Sequence, residues 1–151
     1  MQIVNCTESN IESLAQLFNE YRIFYEQKDS VHTSRAFIQQ NLEQGRSRIF
    51  LLFDDAGVPI AFSQLYPAIC SVAMKPYYYL SDLYVVPSAR KNGHARFLMD
   101  YITDLCRKEG AQRLTLDTAT TNTIAQSLYE SLGYDREDTY ISYHLVLDRG
   151  G

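Results

Sequence analysis

Three observations predict an α/β chain of the α+β type, a mixed and mostly antiparallel twisted sheet flanked by helices. Short apolar runs are bounded by turn residues, as strands are. Longer segments between them carry apolar residues at helical spacing. Hairpin strands sit in the middle of the chain and a strand–helix–strand pattern follows, so antiparallel pairing comes before a parallel crossover.

The elements follow in order. Met1-Gln2-Ile3-Val4-Asn5 reads as a first strand, since it lacks the basic-then-apolar layout of a signal peptide. Ile11, Leu14, Ala15, Phe18, Tyr21 and Tyr25 recur at helical spacing. A second helix is predicted from Thr33, as N-cap, to Gln44, with Gly45 as its stop and Phe37, Ile38 and Leu42 buried. Arg48–Phe53 is a short strand, Asp54-Asp55-Ala56-Gly57 a hairpin turn, and Val58–Tyr66 the returning strand, ended by Pro67. After a loop through Lys75-Pro76, Tyr77–Val86 forms the next strand, rich in tyrosine. Helix His94–Glu109 carries Ala95, Leu98, Ile102 and Leu105 on one stripe and stops at Gly110. Leu114–Leu116 is a strand, 123–132 a short helix stopped by Gly133, and Tyr140–Leu147 a closing strand.

The 151 residues suffice for one core, and the absence of repeats, low-complexity stretches and Pro/Ser-rich linkers predicts one domain over 1–151. At 46% apolar and 21% charged residues, the composition is that of a soluble globular protein. No apolar run is long enough to span a bilayer, so no membrane partner is expected. The net charge of −4 disfavours nucleic acid as the main partner. Cys6, Cys70 and Cys106 lie far apart without a C-x-x-C pair, and only three histidines are present. Reduced, mostly buried thiols in a cytoplasmic protein are expected, with no metal site.

The chemistry concentrates at the end of the tyrosine-rich strand. Leu83-Tyr84-Val85-Val86-Pro87 runs into Ser88-Ala89-Arg90-Lys91-Asn92-Gly93-His94-Ala95-Arg96, where a helix opens. Such a junction presents free backbone N–H groups and the positive end of a helix dipole, a site for a pyrophosphate. Arg90, Lys91 and Arg96 add positive charge. A triphosphatase loop, G-x-x-x-x-G-K-[ST], is absent, as is the dinucleotide fingerprint G-x-G-x-x-G after the first strand. Coenzyme A is the remaining common carrier of a pyrophosphate held by amides alone.

Residues Tyr77–Ala95 resemble the acetyl-CoA-binding motif of the GNAT acyltransferase superfamily, a strand leading into [QR]-x-x-G-x-[GA]. Asn122-x-x-Ala125-x-x-Leu128-Tyr129-x-x-Leu132-Gly133-Tyr134 resembles its second motif. The spacing between the motifs and the element order match as well, so the resemblance covers nearly the whole chain. Two positions depart from the pattern: alanine at 95, where many members have glycine, and Lys91-Asn92, where a glycine often follows the arginine.

The resemblance implies an acetyl-CoA-dependent N-acetyltransferase acting on a primary amine by direct attack on the thioester. A non-catalytic acyl-CoA sensor is the alternative. Acetyl-CoA would be the co-substrate and no metal would be needed. Main-chain groups around Tyr84, those of Leu83 and Val85, would pair with the pantetheine arm, and the amides from Lys91 through Asn92, Gly93, His94 and Ala95 to Arg96 would cradle the pyrophosphate. The neighbouring strands would splay near Val85. Asn122 would hydrogen-bond the cofactor and Ala125 would leave room for it. Tyr129 would be the general acid, since a phenol of pKa about 10 is protonated at neutral pH.

An alkylammonium of pKa about 10.4 must lose a proton before it attacks. Asp82, which interrupts an apolar strand, is the candidate base, directly or through water. Glu26 and Tyr21, Tyr25, Tyr66 and Tyr84 are secondary candidates to line the acceptor site. Tyr77-Tyr78-Tyr79 with Tyr21 and Tyr25 would form an aromatic pocket for a cationic amine. A homodimer is compatible with the family.

Overall fold

The computed structural model describes residues 1–148. They fall into two compact units, Met1–Asp117 and the residues from Thr118 onward. In the first unit the strands are β1 (Gln2–Asn5), β2 (Arg48–Phe53), β3 (Pro59–Cys70), β4 (Lys75–Val85) and β5 (Leu114–Thr115). The helices are α1 (Ile11–Phe24), α2 (Val31–Glu43) and α3 (His94–Lys108). The second unit holds α4 (Thr123–Ser131). The sheet order is β1-β2-β3-β4-β5, antiparallel throughout except for the parallel β4–β5 pair.

Strand alternation divides the core between two faces of the sheet. Ile49, Leu51, Phe62 and Tyr84 cluster with Leu14, Leu17 and Phe18 of α1 and Ile38 of α2. Phe50, from the other face, meets Tyr101 of α3 edge-on at 6.1 Å. α3 buries Leu98, Met99, Ile102 and Cys106. Each fully buried side chain of this kind contributes roughly 1.5–3 kcal/mol.

The structure moves several predicted boundaries. α2 begins at Val31, because Ser30 rather than Thr33 is its N-cap: the Ser30 hydroxyl accepts from the Thr33 N–H at 3.3 Å. Phe37 stays partly exposed, stacked on Phe18 at 5.6 Å. Pro67 does not end β3 but pairs with Tyr78, and the predicted loop is instead a long hairpin turning at Ser71–Met74. Alternation along β3 points the Pro67 nitrogen toward the β2 side, and β2 pairs no further than Leu65. The missing N–H therefore costs no ladder bond. The predicted strand Tyr140–Leu147 is absent: these residues adopt no regular structure, and all are exposed. A strand needs a partner, and periodicity cannot supply one.

Candidate active site

The end of β4 differs from the rest of the sheet in its hydrogen bonding. Val86 N–H donates to Ile60 O at 2.9 Å, and Tyr84 opposes Phe62. In an antiparallel ladder the amides alternate between neighbours, so Tyr84 turns its main chain to β3 while Leu83 and Val85 turn theirs to the opposite side. On that side β5 pairs only with Tyr78 and Tyr79. The ladder thus stops short of Leu83 and Val85, the segment where the family resemblance implies that the strands part.

A β-bulge lies just before this segment. Gln64 opposes Asp82 and Leu65 opposes Leu80, leaving Ser81 as the extra residue of β4. Bulges bend a strand and re-aim its side chains. Here the result is a carboxylate buried to 9% exposure. Asp82 Oδ1 accepts from Tyr21 Oη at 2.9 Å and from Ser81 Oγ at 3.3 Å. Its Oδ2 accepts from Gln64 Nε2 at 2.5 Å. Ser63 Oγ donates to the Asp82 carbonyl at 2.8 Å. Asp82 is therefore an interior group and not a residue of the solvated sheet edge.

The three donors to its carboxylate are neutral, and the orientation of Gln64 is fixed from behind. Gln64 Oε1 accepts from Ser47 Oγ at 2.7 Å and from Asn41 Nδ2 at 2.9 Å, so its Nε2 must face Asp82. Asn41 also donates to Tyr66 Oη at 3.2 Å. Burial first, then the Asp82 charge, pushes the Tyr21 phenol far above its ordinary range and keeps it a donor.

Aromatic rings wall this network. Tyr21 packs edge-on against Tyr25 at 5.0 Å, Phe62 at 5.5 Å and Tyr84 at 6.0 Å. Tyr25 is 58% exposed, so the cluster runs from the interior to the surface. Glu26 follows α1 in a left-handed conformation, φ 63°, and is exposed. The pocket predicted from Tyr77-Tyr78-Tyr79 is not formed as one unit. Arg113 lies over the Tyr77 ring at 3.8 Å and Arg48 over Tyr78 at 5.6 Å, so each of these rings already faces a cation. Tyr79 donates to Asp117 at 2.7 Å; burial, then this bond, pushes its pKa up to about 12.

The turn after β4 is shaped by two left-handed residues, Lys91 at φ 65° and Gly93 at φ 77°. A left-handed lysine is uncommon; Asn92 braces the loop by donating to the carbonyls of Ala89 at 3.2 Å and Arg90 at 3.1 Å. Gly93 is the N-cap of α3 and brings no capping side chain. The first turn of α3, at the positive end of the helix dipole, therefore receives no side-chain cap from its N-cap residue. His94 Nδ1 is buried there without a hydrogen-bond partner among the described residues. Arg90 departs from the sequence reading. Its Nε donates to Val85 O at 2.9 Å, and its guanidinium lies over Phe24 at 5.5 Å and Tyr84 at 5.6 Å. Its charge is committed to the end of β4 and not to the turn.

In the second unit, α4 is capped by Asn122, whose Oδ1 accepts from Ala125 N–H at 3.1 Å. This capping role was not read from the sequence. Ala125 and Tyr129 are half-buried, and the Tyr129 ring packs against Tyr134 at 5.9 Å. Sequence reasoning also missed Gln64, Asn41 and Ser47. The available signal was Ser63-Gln64, a polar pair inside an otherwise apolar strand.

Among the described residues no group of three or more His, Cys, Asp or Glu side chains could hold a metal ion. Nor is any helix among them long and apolar enough to cross a membrane.

Comparison with known proteins agrees with this geometry. The Acetyltransferase (GNAT) family profile matches residues 11–134. YhfO of Bacillus subtilis (strain 168), described as an uncharacterized N-acetyltransferase, is 39% identical over 96% of this chain and 97% of its own. A crystal structure of a probable acetyltransferase superposes with TM-score 0.93 at 32% identity, covering 98% of this chain and 99% of the other. An aminoglycoside N-acetyltransferase in complex with CoA shares the fold, with TM-score 0.76 at 21% identity over 95% and 93% of the two chains. With a β4 edge left open, an uncapped helix behind it and a family match spanning both, the chain belongs to the acetyltransferase (GNAT) family, and N-acetyl transfer is its chemistry.

Proposed function

We propose that the protein moves the acetyl group of acetyl-CoA to a primary amine that carries positive charge. The observation that supports this most is the run of outward main-chain donors: the amides of Leu83 and Val85, turned away from β3, lead to the first turn of α3, where Gly93 brings no capping side chain. An extended pantetheine arm adds to such an edge as a strand does. The amides from Lys91 to Arg96 suit a pyrophosphate. The orphaned His94 Nδ1 beside them is the kind of buried polar atom that a ligand or its water would satisfy. Acetyl-CoA supplies the activated acyl group.

The remaining roles belong to side chains. Asp82 takes a proton from the ammonium, directly or through water, and the hydrogen bonds from Tyr21, Gln64 and Ser81 hold its carboxylate in position. Aromatic faces at Tyr21 and Tyr25 suit a cation. The amide of Val85 polarises the carbonyl under attack, and Tyr129 protonates the departing thiolate. Asn122 retains its side-chain amide donors for the cofactor after its oxygen caps α4, and Ala125 leaves space beside it. The proposed mechanism uses no metal. A reducing compartment, the cytoplasm, fits a chain whose three cysteines are all free.

Free-thiol release with acetyl-CoA and an amine panel tests the reading. Tyr129→Phe should lower kcat by about 10²- to 10³-fold while acetyl-CoA affinity changes little. Equal loss of both, or no thiol release from the wild type with any amine, would refute it.

A further inference from the structure

Arg90 is exposed, yet it is held at three points. Its Nε donates to Val85 O at 2.9 Å, and its guanidinium lies over the rings of Phe24 at 5.5 Å and Tyr84 at 5.6 Å. A guanidinium has five N–H donors, and Nε uses one of them. The Nη groups reach no carboxylate at ion-pair distance among the described residues. Tyr84 Oη lies within the influence of the Arg90 charge and donates to Glu20 Oε2 at 3.5 Å. A fork anchored by its Nε in this way presents its remaining edge in a fixed direction, which suits a planar anion.

Asp82 and Arg90 stand at opposite ends of one aromatic strip. Tyr21 bonds Asp82 at 2.9 Å and packs on Tyr84 at 6.0 Å, and the Tyr84 ring in turn meets Arg90. Beside them Tyr21 meets Tyr25 at 5.0 Å, and Tyr25 meets Phe24 at 5.3 Å. Asp82 is buried, whereas Phe24, Tyr25 and Arg90 are exposed. The strip thus runs from an inner anion to an outer cation, and a molecule complementary to it has the reverse polarity.

We infer that the acceptor is an amino carboxylate: its amine enters toward Asp82, and its carboxylate pairs with the Nη edge of Arg90. This rests on Asp82 receiving the amine. Asp82 and Tyr84 are two residues apart on an extended strand, about 7 Å, and Arg90 lies past Tyr84, at Val85. An α-amino group and its own carboxylate share one carbon and cannot reach both ends, so several bonds separate the two groups. The chain between them lies along the rings. A second ammonium at the outer end would meet the Arg90 charge, which Glu20 offsets only in part. In the transfer the amine nitrogen bonds the acetyl carbon while the C–S electron pair leaves with sulfur. The ammonium proton goes to Asp82, and the carboxylate is unchanged.

Thiol release by the full chain at saturating acetyl-CoA tests this with ω-aminohexanoate, hexylamine and hexamethylenediamine, and with their four- and eight-carbon counterparts. The readout is the ratio of kcat/KM between probes, which a general loss of folding or cofactor affinity leaves unchanged. At the best length the wild type should favour the amino carboxylate over the alkylamine by about tenfold, and over the diamine by more. Arg90→Met should bring the first ratio below about two, and Arg90→Lys, which keeps charge without the fork, should retain part of it. Glu20→Gln removes a competing carboxylate and should raise it. Alkylamine or diamine used as well as the amino carboxylate at every length would overturn the inference and leave acetyl transfer standing. A preference that survives Arg90→Met would do the same. Should that variant fail to fold, the wild-type and Glu20→Gln ratios decide. No thiol release with any probe or other amine would overturn the transfer reading, and this inference with it.

Discussion

Gln64 links Ser47 and Asn41 to the Asp82 carboxylate, and its replacement should be costly for reasons the structure enumerates. Gln64→Leu nearly preserves volume at a position with 0% exposure. It deletes the bond from Nε2 to the Asp82 carboxylate and removes the acceptor for Ser47 Oγ and Asn41 Nδ2. A hydrogen bond to a charged group is worth about 1.5–3 kcal/mol, and an orphaned buried donor costs about 1–3 kcal/mol. Asn41 keeps Tyr66 as a partner, so Ser47 bears most of the second loss. Leucine's apolar burial returns about 1 kcal/mol. The net is about 3 kcal/mol, a Tm lower by roughly 6–12 °C for a chain of this size. Gln64→Glu adds a sharper signature. Its carboxyl would sit against that of Asp82, and two such groups raise the pKa of one of them. A raised folded-state pKa gives stability that is full below the unfolded value of about 4.3 and is lost as pH rises through the folded value. The Gln64→Glu deficit should therefore be smallest near pH 4 and grow toward pH 7. Thermal melts of both variants between pH 4 and 8 supply the assay. A loss under 1 kcal/mol in Gln64→Leu, or a pH-independent deficit in Gln64→Glu, would show that the network is not organised as described.

Two further outcomes are expected. In an alkaline titration followed by tyrosinate absorbance, Tyr79 should ionise only near its raised value of about 12, and Tyr21 higher still. Because those pKa values are raised in the folded state, their contribution is intact below pH about 10 and is lost as pH climbs through the folded values. Twelve tyrosines titrating together near pH 10 would contradict this. Among the thiols, Cys70 should react first with a disulfide reagent at pH 8. Hydrogen bonding from the Ala73 backbone, then Arg113, lowers its pKa, whereas burial pushes Cys6 up to about 12 and also raises Cys106. Equal rates for all three, measured by mass spectrometry of digests, would refute the assignment.

Local chemistry in the sequence determined the helices, the hairpin turn at Asp54–Gly57 and the turn at Arg90–Gly93, because periodicity, caps and glycine act within a few residues. It also determined that a lone carboxylate interrupts β4. What that carboxylate touches was decided only by the tertiary structure. Ser81 bulges because β3 and β4 pair out of step at Gln64 and Leu65. Asn41, Ser47, Gln64 and Tyr21 converge because α1, α2 and two strands bring residues distant along the chain to one point. Pairing likewise separates Pro67, which reads as a strand end and is not one, from Tyr140–Leu147, which reads as a strand and is not one here. Periodicity records which side of a segment is apolar, while a strand exists only where another backbone meets its edge.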